Sequence, residues 1–306
     1  MTSAVLPPPV ARQSLTTTLG TIAELVRAPA ALSVPGDAVA GAAAAGTLSG
    51  RTAGLAASSV LLYWGGMAAN DWADRDVDAV ERPGRPIPSG RISSRAALAV
   101  ALGLTGAGVA VAGAVGGRRA LAVAVPLAAT VWAYDGPLKD TAAGPVAMAA
   151  CRGLDVLLGA GPGPLRRAAP TAAVVTAHTY LLTLLSRREV HGATAGLPAA
   201  TLAATTALAT AVVLPAPPTP TARALAAWAP TLALTAGYAA TFGRAQLTAT
   251  GDPSAKRVRA AVGAGITGLP WLQGALTARA GAPLAGLAVA AAAPLGRRLA
   301  RRVSPT

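Results

Sequence analysis

Asn70-Asp71-Trp72-Ala73-Asp74-Arg75-Asp76-Val77-Asp78 closes an otherwise apolar run that begins near residue 53. It leads into Glu81-Arg82-Pro83-Gly84-Arg85-Pro86-Ile87-Pro88-Ser89-Gly90. The chain has only 12 acidic residues, and five of them (Asp71, Asp74, Asp76, Asp78, Glu81) fall between positions 71 and 81. Carboxylates gathered beside a long apolar segment are costly unless cations neutralise them. Asp71, Asp74 and Asp78 step by three and four, which puts them on one face of a helix. Asn70 adds a neutral oxygen beside them. A row of hard oxygen donors suits Mg²⁺, which keeps several waters and completes its shell with substrate phosphates.

Working outward, the whole chain of 306 residues is 53% hydrophobic and only 12% charged. Soluble globular domains carry about 25% charged residues, so this composition, with positive mean hydropathy, reads as a membrane protein. A membrane-crossing helix needs about 20 mostly apolar residues. Ten such segments are legible, at roughly 28–48, 53–73, 95–115, 119–134, 143–161, 168–186, 194–214, 222–243, 257–277 and 280–297. The fold expected is all-α, a polytopic transmembrane helical bundle of about nine to ten helices. Residues 1–20, rich in Pro and Thr, read as a flexible tail, residues 21–298 as one membrane domain, and residues 299–306 as a basic tail.

The net charge is +14, but the cations sit in short stretches between apolar runs. That pattern indicates topology and anionic lipid contact, and no recognition motif points to nucleic acid. With both termini in the cytoplasm, 18 of the 26 Lys and Arg residues fall on the inner side and seven on the outer, with Arg152 inside a helix. This orientation satisfies the positive-inside rule and turns the carboxylate row toward the cytoplasm of a bacterial cell membrane. The one cysteine, Cys151, forms no ligand pattern and reads as a packing residue. His178, on an apolar helix, reads as a packed, hydrogen-bonded side chain.

Other polar features fall on the same side. Tyr134-Asp135-Gly136-Pro137-Leu138-Lys139-Asp140 follows the fourth segment, Ser186-Arg187-Arg188-Glu189 follows the sixth, and Tyr180 and Thr183 lie just above that end. In the fifth segment Arg152 and Asp155 are spaced i, i+3. They read either as functional groups facing the bundle interior or as a mutual ion pair. Glu189 reads either as a substrate contact or as a partner of Arg187 or Arg188. Carboxylates with Mg²⁺, together with Arg and Lys, suit a diphosphate, and apolar walls suit a hydrocarbon attached to it. A lipid diphosphate needs both, and the chemistry this suggests is prenyl transfer with diphosphate as a metal-stabilised leaving group.

Asn70-Asp71-x-x-Asp74-x-x-x-Asp78 followed by Arg82-Pro83-x-Arg85-Pro86-Ile87-Pro88-Ser89-Gly90 resembles the first aspartate-rich motif and following loop of the UbiA prenyltransferase superfamily. Leu25-Val26-Arg27-Ala28-Pro29, Val34-Pro35-Gly36-Asp37 and Cys151-Arg152-Gly153-Leu154-Asp155-Val156-Leu157-Leu158-Gly159 resemble its EboC-like branch. The resemblance implies a Mg²⁺-dependent prenyltransferase acting on a prenyl diphosphate and an unidentified acceptor. It assigns metal binding to Asn70, Asp71, Asp74 and Asp78, and catalysis to Asp71, Asp74, Asp78 and Lys139. Arg82 and Arg85 are then expected near the phosphates, and Tyr134, Asp135, Arg152, Tyr180, Arg187 and Glu189 around the substrates. Where the superfamily carries a second aspartate-rich motif, this chain has Ser186-Arg187-Arg188-Glu189-Val190. That departure puts a second Mg²⁺ in doubt and leaves an alternative, a degenerate member that binds or transports a prenylated or apolar metabolite without catalysis.

Overall fold

The computed structural model describes residues 15–214, 221–292 and 294. Among these there is no strand, and the helices are α1 (Leu15–Leu25), α2 (Pro35–Ala45), α3 (Gly50–Ala73), α4 (Arg75–Glu81), α5 (Ser94–Ala133), α6 (Gly144–Gly159), α7 (Leu165–Ser186), α8 (Gly196–Val213), α9 (Ala222–Tyr238), α10 (Arg244–Gly251), α11 (Ala255–Arg279) and α12 (Pro283–Ala290). The expectation of an all-α membrane bundle holds. Three helical segments, Ser94–Leu138, Leu165–Ser186 and Gly196–Val213, are long and apolar enough to cross a membrane among the described residues. Residues 1–14 and the expected basic tail at 299–306 lie outside the described residues, and helix begins at Leu15, inside the stretch read as a tail.

The first expected span, 28–48, is broken. Ala28–Ser33 is a 3₁₀ turn and Pro35 opens α2 at its first position. Proline lacks an N–H and cannot extend a preceding helix, but its fixed φ suits the first turn of a new one. The third and fourth expected spans join in α5 through Gly117 (φ 67°, ψ −159°). Gly65 packs against Ala101 and Thr105, Gly108 against Leu62, and Gly54 against Val115, so the first half of α5 runs antiparallel to α3. Gly66 meets Val131 and Leu55, Leu62, Val123 and Leu127 share one apolar core, so the second half runs parallel to it. The chain therefore reverses at Gly117, in a backbone conformation open to a residue without Cβ.

A second apolar core gathers Leu185, Tyr238, Phe242 and Leu272 from the C-terminal half. There His178 Nδ1 lies 2.9 Å from the Tyr238 hydroxyl and both are buried, as the packing role read from sequence required. Between the halves, α2 crosses α6 with almost no separation. A Cβ on Gly41 would lie 1.8 Å from the Val156 carbonyl oxygen, and one on Gly159 2.1 Å from that of Ala38. Small residues permit such approaches, which membrane helices use in place of a hydrophobic driving force. This crossing fixes the two helices that carry Asp37, Arg152 and Asp155.

Gly41→Val must therefore separate α2 from α6. It is expected to destabilise the detergent-solubilised protein by at least the roughly 1–3 kcal/mol typical of overpacking. Gly84→Ala, where nothing lies within 4 Å, is the control. Thermal unfolding followed by circular dichroism should show a lowered midpoint for the first and none for the second.

Candidate functional site

At one end of the bundle α3 passes into α4 through Asp74. The Asp74 N–H donates to the Asn70 carbonyl at 2.9 Å and the Asp78 N–H to the Asp74 carbonyl at 2.8 Å. Asp74 is the junction of the two helices, with φ −85° and ψ 0°, and these two i→i−4 bonds meet there, so Asp71, Asp74 and Asp78 keep near one face as their spacing predicts. Asp71 and Asp78 are buried, at 4% and 1% exposure. Asp76 points away, with its side chain 84% exposed and Arg75 at 3.3 Å.

A buried carboxylate needs a charged partner, and each of the three has one. Arg85 Nη1 bridges Asp71 at 3.1 Å and Asp78 at 2.5 Å. Arg82 approaches Asp78 at 3.4 Å, and the Lys139 ammonium pairs with Asp74. Arg27 Nη2 lies 2.9 Å from Asp71 Oδ1. Its backbone has φ 47°, the one positive value at a non-glycine residue among those described. An arginine held in this sparsely populated region marks a position over-determined by its surroundings. Arg27 belongs to one of the short motifs quoted above but was not expected among the site residues, because nothing in sequence links it to a carboxylate 44 positions away.

The loop after α4 aims Arg82 and Arg85. The Arg82 N–H donates to the Asp78 carbonyl, the Arg85 N–H to that of Arg82, and Ser89 Oγ to that of Arg85. Arg91, expected only as a topology determinant, holds this loop to α1. Its guanidinium donates to both carboxylate oxygens of Glu24, at 2.5 and 2.8 Å, and to the Gly84 carbonyl at 2.6 Å. The hydrogen bond from Arg91 holds the Glu24 carboxyl below the usual range.

On the opposite wall, Tyr134–Leu138 forms a single π turn at the end of α5. Asp135 is buried there, and Asn70 Nδ2 lies 3.4 Å from its Oδ1. Among the described residues Asp135 makes no ion pair, unlike Asp71, Asp74 and Asp78. Lys139 follows the same turn, and the loop beyond it is braced by Arg187, which donates to the carbonyls of Thr141 at 2.5 Å and Asp140 at 3.4 Å.

Other expected residues are placed differently. Glu189 forms no ion pair with Arg187 or Arg188 among the described residues, and its backbone carbonyl accepts from Arg259 at 3.2 Å. Tyr180 is 38% exposed on α7 and has no hydrogen-bond partner among the described residues. Arg152 does not pair with Asp155. Its Nη2 lies 2.8 Å from Asp37 Oδ2 and 3.2 Å from the Ser33 carbonyl, while the Ser59 hydroxyl donates to Asp155. The i, i+3 spacing on α6 was a fair guide to proximity, but α2 crosses so closely that Asp37 takes the guanidinium first. These groups form a second polar island around Ser59, about 16 Å along α3 from Asn70 at 1.5 Å per residue.

Among the described residues no three acidic side chains already converge as a metal cage. The reason is visible in the pairs above, since Arg27, Arg82, Arg85 and Lys139 occupy the carboxylate oxygens. The donor set is nevertheless suited to a hard cation. Asn70, Asp71, Asp74 and Asp78 present only oxygen ligands on one helix face, and the four cations that cover them are the groups a bound diphosphate would draw away. Arg85→Gln removes the bridge and leaves two buried carboxylates facing each other. It is expected to lower stability without divalent ions by up to about 3–5 kcal/mol, less what Arg27 and Arg82 retain. Added Mg²⁺ should then raise the unfolding midpoint of Arg85→Gln more than that of the unmodified protein, as read by thermal scanning. An equal response in both would count against a metal on this face.

Comparison with known proteins gives this geometry its context. Over 107 residues the chain is 44% identical to digeranylgeranylglyceryl phosphate synthase of Methanothrix thermoacetophila, a stretch covering 34% of this chain and 40% of that one. The chain thus spans less than half the length of the curated relatives it matches. A solved structure concerning digeranylgeranylglyceryl phosphate synthase in membranes superposes with a TM-score of 0.61 at 17% identity, over 86% of this chain and 98% of the other. A UbiA homologue from Archaeoglobus fulgidus, solved with DMAPP and Mg²⁺, superposes with a TM-score of 0.53 at 16% identity, over 80% and 98%. At these identities the two structures establish a shared fold. The sequence pattern of the UbiA prenyltransferase family matches residues 32–260, from the 3₁₀ turn before α2 into α11 and across the whole carboxylate row. On that match, over well more than half of its length, the chain belongs to the UbiA prenyltransferase family.

Proposed function

We propose that this protein is an integral membrane prenyltransferase that moves an isoprenyl group from a prenyl diphosphate to an acceptor. The observation that carries the reading is the row of buried Asp71 and Asp78 with half-buried Asp74, at one end of an apolar bundle and covered by Arg27, Arg82, Arg85 and Lys139. A diphosphate with a hydrocarbon tail matches both halves of that environment. The prenyl diphosphates implied by the family, and the DMAPP and Mg²⁺ bound by the Archaeoglobus homologue, support it. The positive-inside argument supports a cytoplasmic position for this end of the bundle. The motifs at 25–29, 34–37 and 151–159 support a finer placement in the EboC-like branch.

Asn70, Asp71, Asp74 and Asp78 would hold Mg²⁺, which supplies Lewis-acid stabilisation of the departing diphosphate. As substrate arrives, Arg27, Arg82, Arg85 and Lys139 exchange carboxylate oxygens for phosphate oxygens. Arginine is suited to this exchange because its planar fork matches either anion. The bond from C1 of the prenyl chain to the diphosphate oxygen breaks, with its electron pair leaving on the diphosphate. A nucleophilic atom of the acceptor forms the new bond to C1 and releases a proton. Asp135 takes that proton in this scheme, because it is buried beside Asn70 and is not held by a cation. Arg187 fixes the Lys139 loop rather than binding substrate.

A second reading is favoured by Glu189, whose carboxylate joins no ion pair at the site among the described residues. It is the alternative of a non-catalytic member that binds or carries a prenylated or apolar metabolite. Purified protein in nanodiscs, supplied with geranyl or longer prenyl diphosphates and a pool of small-molecule acceptors, separates the two. Transfer predicts diphosphate release with a new prenylated product, abolished by EDTA and reduced about a hundredfold or more in Asp74→Asn, since several kcal/mol of charge stabilisation are at stake. Asp135→Asn is expected to slow product formation by about 10²–10⁴-fold while Mg²⁺-dependent donor binding persists. Tight donor binding without release under every condition would instead establish the carrier.

A further inference from the structure

The second polar island plays no part in the chemistry above, yet it is too polar for a packing element. Asp37 and Gln273 are fully buried, and Gln273 Nε2 donates to Asp37 Oδ1 at 2.6 Å and to the Ser33 carbonyl at 2.9 Å. Arg152 pairs with Asp37 by charge, but Asp37 Oδ2 and Gln273 Oε1 are buried without hydrogen bonds, so these groups compensate one another only in part. Asp155 is different. It is buried, it receives the Ser59 hydroxyl, and no cation lies within ion-pair distance of it among the described residues. Arg152 Nε is buried without a hydrogen-bond partner, and the Tyr63 hydroxyl has none among the described residues. These three underused groups meet at a cavity of about 50 Å³, lined by Ser59, Tyr63, Cys151, Arg152 and Asp155 among apolar side chains. By a measure in which one water needs about 10–15 Å³, that space holds a small polar fragment.

The cavity is aligned with the carboxylate row. Ser59, Tyr63, Gly66 and Asn70 follow one another at helical steps of four, three and four along one face of α3. A Cβ on Gly66 would lie 3.4 Å from Asp135 Oδ2. One face of α3 therefore carries Asn70, beside Asp135, and Tyr63, beside the cavity with Asp155, about 10 Å apart along the helix axis, with Gly66 between them against Val131 and Asp135. Bare hydrocarbon in the cavity would leave Asp155, Tyr63 and Arg152 Nε unpaired, at the desolvation cost of each. A carboxylate would add a third acid beside Asp37 and Asp155 against the single cation Arg152, in a medium that screens poorly.

We propose that this cavity is the far half of the acceptor site and takes an uncharged hydroxyl group of the acceptor, with Asp155 accepting its hydrogen bond and Tyr63 adjoining it. The assignment to an acceptor rests on the transferase reading above. Acceptor molecules with a hydroxyl remote from the reacting atom are selected, and those with a carboxylate there are refused.

Cys151 is the only cysteine in the chain and lines the cavity, so it reports occupancy without any need for turnover. The intact protein in nanodiscs is treated with methyl methanethiosulfonate, and modification is followed by mass spectrometry. Hydroquinone is expected to slow labelling by about tenfold at ten times its half-saturating concentration. The same concentration of terephthalate, which presents a carboxylate at either end, or geranyl diphosphate with Mg²⁺, is expected to leave the rate unchanged. Asp155→Leu and, should that variant fold poorly, Tyr63→Phe should weaken hydroquinone protection while Mg²⁺-dependent geranyl diphosphate binding, read by native mass spectrometry, stays intact. Protection by geranyl diphosphate alone would overturn the proposal by placing the donor hydrocarbon in the cavity. Equal protection by terephthalate, or no labelling of the unliganded protein, would overturn it as well. Hydroquinone protection in a protein that never binds geranyl diphosphate would keep the polar cavity and remove its role as an acceptor site.

Discussion

Burying carboxylates at the end of an apolar bundle is the constraint on which the rest of the structure depends. Asp71 and Asp78 are almost wholly removed from solvent, and their negative charge is tolerable only with cations at hydrogen-bond distance. Those cations come from three segments. Arg27 arrives from the connection between α1 and the 3₁₀ turn, Arg82 and Arg85 from the loop after α4, and Lys139 from the turn after α5. Supporting structure follows from delivering these groups. Arg91 ties the loop to Glu24 on α1, and Arg187 ties the Lys139 loop to the end of α7. The helices set the position of the acids, and the loops set the position of the bases.

The arrangement also explains how one site can serve both before and after an anion binds. Without substrate the bases neutralise the acids, and no metal-like convergence of carboxylates exists among the described residues. In the proposed function a diphosphate would offer the bases a second set of oxygens and would free the acids for a hard cation. The segments carrying the bases are short and locally hydrogen-bonded, whereas Asp71 and Asp78 sit on α3 and α4 with Asp74 at their junction. That division puts whatever motion is needed on the side of the bases.

Deeper in the bundle a different economy operates. The crossing of α2 and α6 through Gly41 and Gly159 brings Asp37 within reach of Arg152 and leaves Asp155 to Ser59. Polar groups at bilayer depth are retained where they meet each other or a polar ligand. Here two acids share one base, and the imbalance falls at the edge of a cavity on the same face of α3 as Asn70. The bundle thus carries charge at two levels, a neutralised row at its end and an incompletely paired group within.

How much of this was legible in the sequence depends on how local each feature is. The helical spacing of Asp71, Asp74 and Asp78, the apolar runs that demand a bilayer, and the loop carrying Arg82 and Arg85 are properties of contiguous residues, so the sequence by itself determined them. Lys139 and Asp135 were readable as polar groups interrupting apolar runs, and the family motif added their roles. What only the tertiary structure decided are pairings between distant segments. Arg27 meets Asp71 across 44 positions, and Asp37 displaces Asp155 as the partner of Arg152 because a glycine crossing brings α2 against α6. Arg187 reaches the Thr141 and Asp140 carbonyls of the Lys139 loop, while the Glu189 carbonyl receives Arg259 from α11. The physical reason is the same in each case. Helical periodicity fixes which side chains share a face, but a charge in a medium of low dielectric pairs with whichever opposite charge packing brings nearest, and packing is a property of the whole chain.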